Sequence, residues 1–521
     1  MISRRVFLGS SAIFARELFG ADRAAGRPSA ALEKLGAVAL REAKKLKATY
    51  CDIRISRHHD QSTGIRLTPE RGTGKTLEVP SVSDRESFGF GVRVIAGGAW
   101  GFAASPVVTP EEIARITAEA VTVARANATL RARPVVLAPT KVYRDRWTSP
   151  FERNPFDVPL AEKLELLRAA AAEVKKGARV FSAGGSLQLR SEDKYFASSE
   201  GSSIQQFTVT TSASLNAGAV DFSKGVSRSR TYVPLPLQTG WEQVAVMNLP
   251  EHARRIREEV VEHLAAPPVT PGKKDLVLMP SHLFLTIHES IGHPTELDRA
   301  LGYEANYAGT SFLTTDKMGK IRVGSDIVTF YGDRTYEKGL ATTAYDDDGV
   351  KTTRWPIIEK GIFKHYQTIR DQAHLVGEKE SRGCCYADSW SSIPFQRMPN
   401  VWLAPGKPET TLDDLVAGVD DGILIEGRGS YSIDQQRYNF QFGGDAFWEI
   451  KGGKKRGMVS RVSYQSRTTD FWQACDAIAG PSFWQQYGSG GDAKGEPVQI
   501  NSMSHGCAPS RFRGINVLLT D

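Results

Sequence analysis

Within "LFLTIHESIGHPTELDR", residues 283–299, His288, Glu289 and His293 form the pattern H-E-x-x-x-H. This is one residue longer than the H-E-x-x-H of common zinc peptidases, in which two imidazoles hold the metal and the glutamate takes a proton from water. The extra residue has a geometric cost. On a regular α-helix, residues four apart are separated by about 40° around the axis and converge on one ion, whereas residues five apart are separated by about 140°. The spacing can therefore bind a metal only if the helix is distorted, by a π-bulge or by ending at Gly292. Gly292 tolerates unusual backbone and Pro294 stops a helix, so both residues favour the break. Glu289, next to one ligand, would then be the general base. A chance match to this pattern, in a chain with ten histidines, is expected in about one such chain in a hundred, so the motif needs support from elsewhere. His58, His59, His252, His263, His282, His365 and His374 carry no comparable spacing.

The elements around the motif are readable. "DLVLMP" (275–280) has the pattern of a short buried strand, and Ser281 is placed to cap the helix that follows. Upstream, residues 29–49 have apolar residues at helical spacing, and "YCDIRISRHHDQSTGIRL" alternates as a strand or hairpin. "SFGFGVRVIAGGAWGFAAS" predicts two strands about the Gly97-Gly98 turn. Pro110 opens a helix capped by Thr109, with acids in its first turn. A Pro-rich connector (SPFERNPFDVPL) leads to the helix "AEKLELLRAAAAEVKKG"; long alternating strands from Val180 to Ala219 and a helix over roughly 250–264 follow. "AAPPVTPGKK" reads as a linker, after which the chain is Gly-rich and strand-rich.

The fold expected is α+β, with an N-terminal α/β domain and a β-rich C-terminal domain that carries the H-E-x-x-x-H helix. The expected divisions are a leader over 1–28, an N-terminal α/β domain over 29–135, a central α+β region over 136–268 and a C-terminal domain over 269–521. The 521 residues are too many for one small core. Hydrophobic residues make up 40% and charged residues 24%, and the mean hydropathy of −0.31 is that of a water-soluble chain. The net charge of +7 is spread along the sequence. No basic run interleaved with aromatics suggests nucleic-acid binding, and no later apolar run reaches the ~18 residues that span a bilayer. Five scattered cysteines (Cys51, Cys384, Cys385, Cys475, Cys507) are odd in number, lack C-x-x-C spacing and read as buried thiols. "SRRVFL" at residues 3–8 resembles a twin-arginine export signal, although Arg16 and Glu17 interrupt its apolar stretch. "YDDDG" (345–349) lacks the spacing of a calcium loop and reads as a structural turn; "YGSGGDAKG" lacks the phosphate-cradling P-loop pattern.

"HESIGHPTELD" closely resembles the signature of the TldD/PmbA family of metallopeptidases, in which H-E-x-x-x-H is followed by a further glutamate, here Glu296. The likeness extends to "GVRVIAGGAWGFAAS" (91–105), "AGTSF" (308–312), "YDDDGVKTTRWPIIEKGIF" (345–363), "QRMPNVWLAPG" (396–406) and "KGEPVQINSMSHGCAPSRFRGINVL" (494–518). The resemblance implies a metal-dependent peptidase acting on short or unfolded peptides. It also implies a homodimer, or a heterodimer with a PmbA-like subunit lacking the histidine motif. Zinc is the expected metal, with another divalent metal such as iron as the alternative.

One position departs from the family pattern. Its third ligand is usually a cysteine in a segment resembling C-G-K-G-x-P, and aligning "DAKGEPVQ" puts Asp492 there, with Cys507 as the rival. Two histidines and a carboxylate are a legitimate zinc set. Glu296, three residues after His293, reads either as orienting a ligand histidine or as a solvent-facing acid, and His505, in the family's S-H-G segment, as binding substrate or stabilising charge. The competing readings are a non-catalytic peptide-binding subunit and a DNA gyrase modulator. Export to the periplasm is expected from the leader, with the cytoplasm as the location suggested by the family.

Overall fold

A computed structural model describes residues 18–19, 26–70, 72–131 and 133–520. The twin-arginine segment at residues 3–8 lies outside them.

The alternating segments of the first half join in one sheet. Its strands are β1 (Tyr50–Pro69), β2 (Thr76–Ala96), β3 (Ala99–Ser105), β4 (Arg144–Thr148), β5 (Val180–Ser198), β6 (Ser203–Asp221) and β7 (Val226–Tyr232). They lie in the order β3-β2-β1-β5-β6-β4, with β7 also on β6. The sequence left β1 as a strand or a hairpin; it is one continuous strand of 20 residues. β1 pairs with β2 along its length and with β5 from Asp52↔Ser198 to Leu67↔Ala183, so residues 29–135 and 136–268 contribute to a single sheet.

Helices α1 (Ala30–Lys45) and α2 (Pro110–Ala128) cover one half of this sheet and bury Leu32, Ala39, Ile113 and Ile116 against Ile53 and Ile55. Helices α3 (Leu160–Lys175) and α4 (Leu249–Ala265) cover the other half in a second core around Leu167, Val174, Ile256 and Leu215. Thr109 caps α2 as its sequence predicts, with its hydroxyl accepting from Glu112 N at 3.3 Å. Leu18 and Phe19, inside the span expected to be a leader, are buried in the first of these cores.

The other face of β1 is polar yet equally buried, because the second half of the chain docks on it. Asp346, Asp347 and Asp348 of the "YDDDG" turn are all buried. Asp347 receives Lys194 at 2.9 Å and Arg54 at 3.4 Å, and Asp348 receives Arg93 at 2.6 Å. These charges are paired across the two halves, which is how they are tolerated away from water. The structural role expected of this turn is to dock one half on the other.

The second half is β-rich. A nine-stranded sheet has at its centre β8 (Gly272–Leu278), flanked in parallel by β9 (Asp421–Glu426) and in antiparallel by the closing strand Ser510–Leu519. A two-stranded hairpin, β10 (Gln485–Lys494) and β11 (Gln499–Cys507), stands apart from that sheet. The architecture is the α+β arrangement expected. All five cysteines are free and buried. No helix among the described residues is long and apolar enough to cross a membrane.

Candidate metal centre

β8 delivers the chain into helix α5 (Pro280–Ile287). The predicted cap, Ser281, is instead inside the first turn, and its hydroxyl accepts from Gly427 N at 3.1 Å. The cap is Met279, and the helix starts two residues earlier than a Ser281 cap implies, because Pro280, with fixed φ and no N–H, suits the first helical position. α5 then widens into a π turn over His288–Gly292 and tightens into a 3₁₀ turn over His293–Thr295. The N–H of His293 donates to His288 O, the i→i+5 bond that defines the π turn. This supplies the distortion that the five-residue spacing demanded, and the two imidazole centroids lie 4.5 Å apart.

The third group arrives from the hairpin. Asp492, near the end of β10, places Oδ1 3.5 Å from His288 Nε2 and 3.4 Å from His293 Nε2. The ligand atoms of these three buried residues all lie within 4.8 Å of one another. Tetrahedral zinc with bonds of ~2.0–2.1 Å requires ligand atoms about 3.3 Å apart, so the donor set fits such an ion. Cys507, the rival ligand, is not brought into the group. It pairs opposite Gln485 at the far end of the hairpin from Asp492, which pairs opposite Asn501. Burial raises the pKa of its thiol, and its sulfur rests 4.0 Å from Pro280 O.

The back of each imidazole is held. His505 Nδ1 is 3.0 Å from Val401 O, which can only accept, so that nitrogen carries the proton. His505 Nε2 is then the acceptor for His288 Nδ1–H at 2.9 Å, which leaves the lone pair of His288 Nε2 facing Asp492. Burial, with the neighbouring His288, holds His505 well below the ordinary imidazole range and so neutral. His505, expected to bind substrate or stabilise charge, is instead placed fully buried behind a ligand, hydrogen-bonded to His288.

Glu296 accepts from His293 Nδ1 at 2.8 Å, the orienting one of its two sequence readings. Arg299 Nη2 lies 2.9 Å from the same nitrogen and its Nε binds the same carboxylate. Burial opposes ionisation of Glu296, but Lys494 and Arg299 outweigh it and hold the carboxyl well below its usual range. Burial also lowers His293, reinforced by Arg299, which favours the neutral form that ligates.

Four cations that the sequence did not single out complete the surroundings. Lys494, fully buried two residues after Asp492, reaches Glu296 at 3.0 Å, Asp298 at 2.9 Å and Gln396 Oε1 at 2.6 Å. Arg397 donates to Asp492 Oδ2 at 3.2 Å and to the Asp492 carbonyl at 2.6 Å, fixing which carboxylate oxygen faces the histidines. Arg299 is the third cation. Arg437, the fourth, binds Glu289 Oε2 through Nη1 and Ala308 O through Nη2 at 3.2 Å. It occupies the left-handed region at φ +65°, a costly conformation for a non-glycine residue.

Gly292 is packed so closely that an added Cβ would lie 2.6 Å from Met398 Sδ and 2.8 Å from its Cε. Gly292→Ala is expected to cost about 1–3 kcal/mol of stability from overpacking and to weaken metal retention, because the π turn carries both histidines. Thermal unfolding with and without added zinc checks this; an unchanged Tm and metal content would contradict it.

Three family models match in order: PmbA/TldA metallopeptidase domain 1 over residues 78–124, the central domain over 153–263 and the C-terminal domain over 271–517. The chain is 26% identical over 439 residues to Metalloprotease MJ0996 of Methanocaldococcus jannaschii, covering 82% of this chain and 89% of that one. It is 22% identical over 444 residues to a Saccharolobus solfataricus protein named Zinc metalloprotease TldD homolog, covering 84% and 91%. The fold is shared with TldE from Thermococcus kodakarensis, at TM-score 0.70 and 18% identity over 94% of this chain and 100% of that one. The chain belongs to the PmbA/TldD metallopeptidase family.

Proposed function

We propose that the protein is a zinc-dependent peptidase of short or unfolded peptides, with His288, His293 and Asp492 as metal ligands and Glu289 as general base. The observation that carries this reading is the convergence of both Nε2 atoms on Asp492 Oδ1, with Glu289 next to His288 in the chain. When bound, the metal would supply Lewis acidity, activating a water and polarising the scissile carbonyl. Glu289 takes the proton of the attacking water and passes it to the leaving amine. Arg437 holds the Glu289 carboxylate in position, while His505 and Glu296 keep the ligand imidazoles in the tautomer that presents Nε2. Zinc is favoured over iron or another divalent metal by the name of the Saccharolobus relative.

Two other readings compete. A peptide-binding subunit needs no base, and the retained Glu289 beside two histidines argues against it. A Bacteroides thetaiotaomicron protein described as a candidate modulator of DNA gyrase shares the fold at TM-score 0.70 and 16% identity, a likeness that reaches no further than the fold. The absence of basic runs with interleaved aromatics in the sequence disfavours direct DNA binding, and retention on DNA at low salt would revive it. The working assembly we propose is a dimer, with itself or with a PmbA-like partner, and the proposed location is the periplasm.

The test is chelation. Hydrolysis of an unfolded, reduced protein substrate is expected to cease when metal is stripped and to return with stoichiometric zinc, while the folded form of that substrate resists cleavage. Hydrolysis unaffected by metal removal would overturn the reading.

A further inference from the structure

The glycine-rich segment "YGSGG" (487–491), which leads into Asp492, has no part in holding the ligands. It lines a cavity of about 400 Å³ whose apolar walls are Phe284, Tyr487, Tyr232 and Val233, with Gly490 and Gly491 along one side. Three of the lining residues, Phe284, Tyr487 and Gly491, are tied to elements of the metal centre. Phe284 lies four residues before His288 on the same face of α5. Tyr487 pairs opposite His505, whose ring touches His288, and its own ring stacks on Phe284 with centroids 6.1 Å apart. Gly491 immediately precedes Asp492.

The buried charges at the cavity are already engaged. Arg230 is 1% exposed and bound to Glu259, Glu426 and Asp445; Glu426 is also bound by Arg255. Arg428, at the rim, is exposed and lies over the Tyr431 ring at 5.4 Å. What remains for a guest is aromatic and aliphatic surface with a glycine wall, edged by the hydroxyl residues Thr231, Ser281 and Ser489 and by Arg428, a mostly apolar lining with a few polar groups that suits an apolar group. The glycines keep that wall open: a Cβ on Gly490 would meet nothing within 4 Å, and one on Gly491 would meet only Ile500 Cγ2 at 3.8 Å.

We infer that this cavity is a specificity pocket for the side chain of a residue flanking the scissile bond, and that it selects peptides carrying a large apolar or aromatic residue there. The inference rests on the peptidase reading above. A larger side chain at Gly490 or Gly491 would occupy the space of the cavity.

The test uses the zinc-loaded full chain and a set of alanine-based hexapeptides, each with one internal Phe, Leu, Glu or Lys, beside the all-alanine peptide, with cleavage positions read by mass spectrometry. The expected result is a kcat/KM at least about ten-fold higher for Phe and Leu than for Ala, Glu or Lys, with cleavage fixed to one side of the large residue. Gly490→Phe, which fills the cavity, is expected to reduce the Phe-over-Ala ratio at least about ten-fold at unchanged zinc content. Should that variant not fold, Tyr487→Ala, which removes one wall, is expected to reduce the same ratio. Equal cleavage of all peptides by the wild type, or an unchanged ratio in a folded, zinc-loaded variant, would overturn the pocket and leave the peptidase reading standing. No cleavage of any peptide by the zinc-loaded chain would overturn that reading and the pocket with it.

Discussion

Glu289→Gln is expected to lower kcat/KM for peptide hydrolysis by about 10²–10⁴-fold, the range a positioned general base contributes. Zinc content is expected to stay at the wild-type level. The amide keeps the shape of the carboxylate but cannot take the proton of the attacking water. Its neighbours separate this effect from damage to the site, since Glu289 is 4% exposed and bound by Arg437, while the ligand histidines are held by His505 and Glu296. Arg437→Gln tests the other half of the pair. It is expected to reduce activity less, because it leaves the base in place and removes only what orients it. Full activity in Glu289→Gln would assign the base elsewhere.

The second large effect concerns Lys494. Three cations and three carboxylates (Lys494, Arg299, Arg397; Glu296, Asp298, Asp492) are buried around the ligands and balance one another. Removing one partner of a buried pair strands its counter-charge. Lys494→Met should therefore destabilise the protein by about 3–5 kcal/mol. Because Lys494 also holds Glu296 against His293, zinc affinity is expected to fall about 10–100-fold as well. Lys494→Met combined with Glu296→Gln should recover part of the stability but not the affinity, since the amide is a weaker acceptor for His293 Nδ1–H. Denaturant unfolding and zinc titration read the two quantities separately. A single variant as stable as the wild type would show that the buried charges are not mutually dependent.

Much of the site could be read because its geometry is local. The angle between residues five apart on a helix forces a distortion in residues 288–293, and Gly292 and Pro294 are the residues that allow one. The cap at Thr109 and the pairing of Val180–Ser198 with Ser203–Asp221 are legible for the same reason: each depends on a short run of sequence. Asp492 was reached by aligning it with a family segment, and the structure brings it to both histidines. Cys507 was a credible rival because thiolate is a good zinc ligand; what removes it is its place at the far end of a hairpin, which composition does not reveal. Ser281 failed as a cap because Pro280 could start the helix first.

The surrounding cations were hidden for a different reason. Arg397, Arg437 and Lys494 act on residues about 95 to 200 positions away in the chain, and a lone basic residue in a loop or strand has no local signature. The buried polar face of β1 was similarly opaque. Asp52 and Arg54 alternate with Ile53 and Ile55 as a solvent-facing row would, yet the "YDDDG" turn covers them.

The claim on which the account depends is that Asp492 replaces a cysteine as the third ligand. The direct measurement is zinc per chain in the purified wild type, Asp492→Ala and Cys507→Ala, with peptide hydrolysis followed in parallel. The account predicts about one zinc in the wild type and in Cys507→Ala, with hydrolysis in both, and loss of both metal and hydrolysis in Asp492→Ala. Zinc retained by Asp492→Ala but lost from Cys507→Ala would contradict it and move the third ligand to the thiol.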